Sequence, residues 1–368
     1  MVVVGLLWTG AGEARASGTV SVTVQGKGDV TGDGIDCNES GGPDCSQFYA
    51  NVQECDPEVG CFFVPPDVDL TAGPDRNGYV FDSWTGCDTV DARVCWMTVT
   101  ASRSVSASFR DAQAPNVSAL TPSGGVQRGT IGLGASASDN SGAVQRVEFR
   151  VRGTLVGADM SAPYSLSFNT ASVADGIAEI RATAFDAAGN SGFVASTVTI
   201  DNTAPNLSVT GGPDGETFGP GTTQTWTFSA SDATSGVASV QCSLVAEGNP
   251  ASFGSCSGGS TSHAVSDRPE GDYTFSVRVT DNGGLQTSAS RSFSIDATAP
   301  STAITSGPKK RTTRKRARFA FISDSPGSSF ACKLDGAAYR SCSSPAVFKV
   351  GTGRHVLRVR AKDAVGNP

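Results

Sequence analysis

Methionine and histidine are nearly missing from these 368 residues, with three of the first and two of the second. Charged side chains make up 17%, below the roughly 25% of an average soluble protein. Beyond its first residues the chain has no stretch approaching the ~18 consecutive apolar residues that suggest a membrane-spanning helix. These shortages exclude a membrane bundle, a coiled coil and an ordinary helical domain. In their place stand glycine (44) and proline (18), with serine and threonine filling the rest of the gap. At 38% hydrophobic residues, many β-branched, the chain can still bury a core. At about 100–150 residues per domain it should hold two to four domains. The composition points to an all-β, extracellular, multi-domain chain.

Ten cysteines fall into neighbouring pairs: Cys37/Cys45, Cys55/Cys61, Cys87/Cys95, Cys242/Cys256 and Cys332/Cys342. Zinc sites want two to four residues between cysteines, usually with histidine nearby. Here 5 to 13 residues intervene and neither His263 nor His355 adjoins a pair. Disulfides and an oxidising compartment are therefore expected. The six cysteines before residue 96 allow 15 connectivities, so their pairing stays open. The last two pairs are isolated by chain distance.

Residues 2–8, VVVGLLW, followed by Ala14-Arg15-Ala16, read as a signal peptide over residues 1–16 with Ser17 as the first mature residue, although its basic start is missing.

Three landmarks then recur in order. Ala-Pro boundaries end at Pro115, Pro205 and Pro300, spaced by 90 and 95 residues. Ser-Asp pairs stand at Ser138-Asp139, Ser231-Asp232 and Ser323-Asp324, and a closing Asp at Asp186, Asp281 and Asp363. This marks tandem copies of one domain. Runs such as FSVRVT and VLRVRA alternate apolar and polar residues, as half-buried strands do, and turn clusters break them every 8–12 residues. About seven short strands in ~90 residues is the pattern of an immunoglobulin-like sandwich.

The stretch 115–201, with VQRVEFRVRGTLVGADMSAPYSLSFNT and IRATAFDAAGN, resembles the bacterial Ig-like domains of exported actinobacterial and other surface proteins. Residues 300–368 are similar to another bacterial Ig-like class, through Phe330-Ala-Cys332-Lys-Leu-Asp-Gly336 and Tyr339-Arg-Ser-Cys342. That resemblance implies that Cys332 and Cys342 bridge across a hairpin, and Cys242/Cys256 follow their Ser-Asp landmark at a similar offset. The last copy stops at Gly366-Asn367-Pro368, before a strand matching FVASTVTID of the first, and is expected to be incomplete.

Residues 18–110 carry a Gly-Ile-x-Cys corner at Gly34–Cys37, the Phe81-x-x-Trp84-x-Gly-Cys87 turn and a Val105-x-Ala107-x-Phe109 strand. They resemble the divergent InlB B-repeat, which implies a small β-grasp-like or open β unit, with an insertion at 51–66. The expected architecture is a small disulfide-rich β module (18–110) followed by tandem immunoglobulin-like β-sandwiches at 115–201, 206–296 and 300–368.

Few residues point to chemistry. A Ser-His-Asp relay needs an oriented histidine facing an activated serine, and Gly254-Ser-Cys256-Ser-Gly258 is a loop holding a paired cysteine. No phosphate-binding or dinucleotide fingerprint is present. Asp29-Val-Thr31-Gly-Asp33-Gly34 matches the start of a calcium loop, but Ser40 stands where a bidentate carboxylate is required. Asp139, Asp186, Asp201-Asn202, Asp232, Asp281 and Asp296 suggest interdomain calcium. The linkers hold no triplet of carboxylates, and Asp and Asn serve turns through their own side chains. The expectation is turn chemistry and no cofactor. Trp84, Trp96 and Trp226 could stack on sugars, against the commoner role of core filling.

Charge is unevenly divided. Residues 300–368 hold 14 Lys/Arg and 3 Asp/Glu, a net of +11, leaving 14 against 32, or −18, elsewhere. Lys309, Lys310, Arg311, Arg314, Lys315, Arg316 and Arg318 form a basic cluster suited to an anionic polymer. The expected partner is a wall or surface polymer or a protein ligand, without specific nucleic-acid binding and without a transmembrane segment. A non-catalytic secreted or cell-surface scaffold is the reading these features favour. The alternative is the accessory region of a larger secreted enzyme, such as a hydrolase.

Overall fold

The computed structural model describes residues 17–42 and 44–368; the signal-peptide reading of residues 1–16 lies outside them. Among the described residues the ordered elements are strands, apart from one 3-10 turn at Thr170–Ser172.

In the N-terminal module two sheets face each other. Strands Ser46–Tyr49, Gly18–Gln25, Arg103–Asp111 and Tyr79–Thr85 form the first, in that order. Strands Ile35–Asn38, Asp29–Gly32, Asp67–Ala72, Val94–Thr98 and Thr89–Asp91 form the second. Val20, Val105 and Phe109 of one sheet share a core with Val30, Leu70 and Met97 of the other. The module is therefore a two-sheet sandwich around one core, built of strands alone where the resemblance implied a β-grasp-like or open β unit. Asp29–Gly32 and Ile35–Asn38 make a hairpin whose two-residue turn, Asp33-Gly34, has positive φ at both positions. Asp-Gly suits that turn, and the calcium-loop reading of this segment gives way to a hairpin. The insertion forms a second hairpin, Val52–Asp56 with Gly60–Val64, that stands exposed.

The first sandwich pairs a three-stranded sheet (Asn116–Thr121, Thr130–Ser138, Tyr164–Asn169) with a five-stranded one. The latter runs Val126–Gln127, Ser191–Ile200, Gly176–Phe185, Arg146–Val151, Thr154–Asp159. The second repeats this order: Asn206–Gly211, Gln224–Ser231, Ser262–Val265 against Thr217–Phe218, Gln286–Ile295, Gly271–Asp281, Val237–Ala246, Gly254–Ser255. In each, the two-residue strand pairs parallel to its neighbour. The last copy has three strands on three: Thr302–Ser306, Arg316–Ser323, Ala346–Lys349 and Arg340–Cys342, Ser329–Leu334, Leu357–Lys362.

Period-2 alternation sets which side chains enter each core. In Gly271–Asp281 the inward set is Tyr273, Phe275, Val277, Val279 and then Asp281. Trp226 is fully buried, stacked on Phe275 at 4.3 Å between ring centroids, with its Nε1 donating to the Pro213 carbonyl. Trp84 is also buried and donates to the Arg93 carbonyl, whereas Trp96 is 46% exposed. Disulfides close Cys37–Cys45, Cys55–Cys61, Cys87–Cys95, Cys242–Cys256 and Cys332–Cys342. The last joins adjacent antiparallel strands.

The chain divides into two compact units. The first runs to Gly125 and includes Thr130–Asn169 and Ile177–Val198. The second holds Val126–Gly129, Thr170–Gly176 and Thr199–Pro368.

Candidate functional site: two carboxylate clusters and a basic cleft

Three inward strand positions in the first unit end in aspartate. Val105, Ala107 and Phe109 lead to Asp111; Leu133 and Ala135 lead, in the same phase, to Asp139; Ala178, Ile180, Ala182 and Ala184 lead to Asp186. Where the core ends, these carboxylates converge, one oxygen from each lying within 4.8 Å of the others. Asp111 is 8% exposed and Asp186 1%. The same arrangement recurs in the second unit, with Asp201, Asp232 and Asp281. Its members lie 90, 93 and 95 residues beyond those of the first cluster, and Asp201 and Asp281 are 0% and 1% exposed.

Backbone and amide donors orient each carboxylate. Asp111 Oδ1 accepts from Gln113 N and Asn140 Nδ2. Asp139 Oδ2 accepts from Ser141 N at 2.8 Å, and Asp186 accepts from both the backbone and side-chain nitrogens of Asn190. In the second cluster Asp201 Oδ1 takes Thr203 N, Asp232 Oδ1 takes Thr234, Ser235 and Gly236 N, and Asp281 Oδ1 takes Leu285 N. These are the turn bonds expected from the sequence, but they engage only part of each group. Asp111 Oδ2, Asp139 Oδ1, Asp201 Oδ2 and Asp281 Oδ2 are buried without a hydrogen-bond partner. They are four of nine such atoms among the described residues, and Asn140 Oδ1 beside Asp139 is a fifth. Buried polar atoms are normally paired, so their concentration here sets the clusters apart. Burial, and then the charges of Asp111, Asp139 and Asp186, push the Tyr79 hydroxyl above its ordinary titration range.

Read from sequence, a carboxylate triplet is sought within the linkers, whereas the structure gathers each from distant segments. No linker contains one; each is assembled from one strand end and two distant turns. Asp111 was not among the sequence candidates, though the alternation Val105, Ala107, Phe109 continues onto it. Asp296 joins neither cluster; its Oδ1 accepts from Thr298 N. Asn202 turns to other partners, donating from its backbone nitrogen to Asp175 Oδ1.

In the last copy Lys309, Lys310, Arg311 and Arg314 line a cleft of about 310 Å³ together with Phe319 and His355. Lys315 lies just before the strand Arg316–Ser323, on which Arg316 and Arg318 face outward and alternate with buried Ala317. All seven basic side chains are exposed. Among the described residues none of them joins an ion pair. His355 Nδ1 meets Asp335 Oδ2 at 2.8 Å, and this bond raises the imidazole pKa above its ordinary value. His263 stacks on Phe275, and its Nδ1 accepts from Ser257 N. Among the described residues no helix is long and apolar enough to cross a membrane.

Residues 115–182 match the model of the bacterial Ig domain, and residues 66–113 match that of the divergent InlB B-repeat domain. No curated protein matches the chain. Similar solved structures include the fibronectin(III)-like modules of Clostridium thermocellum CbhA, at 18% identity and TM-score 0.30, covering 50% of this chain and 95% of that one. The tetra-tandem repeat in the extending region of a large adhesion protein is 15% identical at TM-score 0.27, covering 96% and 97%. Sidekick-1 immunoglobulin domains 1–5 are 10% identical at TM-score 0.30, covering 94% and 80%. The chain is all-β: a two-sheet module that matches the divergent InlB B-repeat domain over residues 66–113 precedes immunoglobulin-like sandwiches, the first of which matches the bacterial Ig domain over residues 115–182.

Proposed function

We propose that this chain is an exported, non-catalytic modular scaffold whose last copy binds an anionic surface polymer. The observation that carries the reading is the basic patch: seven exposed cations, four of them lining the cleft and none in an ion pair among the described residues, on one copy of a chain that is otherwise strongly acidic. Such a surface concentrates polyanions and releases them as salt rises. The module at 18–110 and the copies at 115–201 and 206–296 serve as spacers for the copy at 300–368, which carries the cleft. Five disulfides support export, because they persist in oxidising compartments. Both histidines have structural partners, which supports binding over catalysis.

Heparin chromatography of the full chain tests this. The native chain is expected to be retained at low salt and to elute as salt rises. A variant with all seven cations changed to Gln should pass through. Equal retention of the two would remove the cleft from the account.

A further inference from the structure

We propose that the two aspartate clusters are calcium sites, one ion held by Asp111, Asp139 and Asp186 and a second by Asp201, Asp232 and Asp281. This goes beyond the scaffold reading and does not rest on the basic cleft. Three carboxylates meeting at the end of a core repel one another. A cation between them turns that repulsion into attraction.

The unpartnered oxygens point to the ligand. Asp111, Asp201 and Asp281 are each more than nine-tenths buried, and each leaves Oδ2 without a hydrogen bond within its cluster. Their other oxygens are held by donors, which fixes the free oxygens in place before an ion arrives. Asn140 adds a neutral donor to the first site. Its Nδ2 is committed to the Asn77 carbonyl and to Asp111 Oδ1, so its Oδ1 is the buried, unpartnered atom.

The donor set selects the metal. Carboxylate and amide oxygens suit hard cations and leave nothing for zinc or copper, which favour nitrogen and sulfur. Calcium accepts irregular geometry with oxygens at 2.3–2.6 Å, so it tolerates donors up to roughly twice that distance apart. Magnesium demands a tight octahedron at about 2.0–2.1 Å. Donors spread over as much as 4.8 Å fit the larger ion.

The last copy provides an internal contrast. Asp363 spends Oδ1 on Gly366 N and Asn367 N, and Oδ2 on Asn367 Nδ2. Asp324 is exposed and accepts from Ser301 N. Among the described residues Asp296, Asp324 and Asp363, the counterparts of the cluster members, form no such group, so two ions per chain are expected and not three.

Equilibrium dialysis of the full chain against calcium chloride tests the proposal. The expected result is two ions bound, with dissociation constants on the order of 10⁻⁴–10⁻³ M, as in other extracellular modules. Asp111→Asn and Asp201→Asn keep the side-chain shape and one oxygen, and each should lose one ion; the double variant should bind none. Thermal melting gives a second readout: 10 mM calcium should raise the native melting temperature by several degrees over chelator and leave the double variant unmoved. No binding by the native chain at 10 mM calcium would overturn the proposal. So would two ions retained by the double variant, or magnesium binding as tightly as calcium.

Discussion

The second sandwich and the final copy carry the same landmarks in the same order, yet only the second sandwich gathers its aspartates. The cause is strand phase. In Gln224–Ser231 the inward positions are Gln224, Trp226 and Phe228, and that phase continues through Ala230 to Asp232. In Arg316–Ser323 they are Ala317, Phe319, Phe321 and Ser323, which leaves Asp324 pointing outward. A one-residue shift moves a side chain to the opposite face of a sheet. Ser323 occupies the inward position, and its Oγ accepts from Ser325 N as Asp232 accepts from Thr234 N. Two sequences that align by motif thus differ by one position in space. An acidic landmark becomes a site only when it is in phase with the core.

The largest expected effect probes the shared frame. Trp226 fills the inward row of the second sandwich and contacts both Phe275 and Phe293. Trp226→Ala should cost about 3–5 kcal/mol in denaturant unfolding, the usual price of emptying a large core site. A loss below about 1 kcal/mol would show that this row does not anchor the sandwich.

A smaller change probes phase itself. Ser323→Asp places a carboxylate on the inner face of the last copy. In chelator it should destabilise by roughly 1–2 kcal/mol, as expected for a polar group buried without full compensation. Denaturant unfolding checks this, with Ser323→Thr as the uncharged control. Equal stability of the Asp and Thr variants would contradict the inward assignment.

The smallest effect concerns charge in the cleft. The hydrogen bond from Asp335 holds the His355 pKa above its ordinary value, while partial desolvation opposes it. The protonated pair is therefore complete below the ordinary imidazole value near 6.5 and is lost as pH rises through the raised one. Heparin retention should weaken modestly over that window. His355→Gln should flatten the profile while leaving the high-pH retention unchanged. An unchanged profile would place His355 outside the binding surface.

Much of the fold was legible because it follows from local pattern. Alternation in FSVRVT and VLRVRA marked strands, and the Ala-Pro, Ser-Asp and closing-Asp landmarks marked the copies. The N-terminal module was less legible, since its parallel pairing of Gly18–Gln25 with Arg103–Asp111 joins segments some 80 residues apart. The basic cluster was visible as a run, but only the hairpin geometry separates the four cations in the cleft from Arg316 and Arg318 on the strand. The aspartates were visible singly as turn formers, and their hydrogen bonds are turn bonds. Their convergence was hidden because each triplet spans 75 or 80 residues, Asp111 to Asp186 and Asp201 to Asp281. Counting parity along each strand, from buried Val105 to Asp111 or from Tyr273 to Asp281, is the signal that could have exposed it.

The most direct test is a crystal structure of the full chain grown in 10 mM calcium, with anomalous scattering used to locate the ions. One peak is expected among Asp111, Asp139 and Asp186, one among Asp201, Asp232 and Asp281, and none at Asp363. Absence of both peaks, or a third at Asp363 and Asp324, would contradict the claim that strand phase decides where the carboxylates become a site.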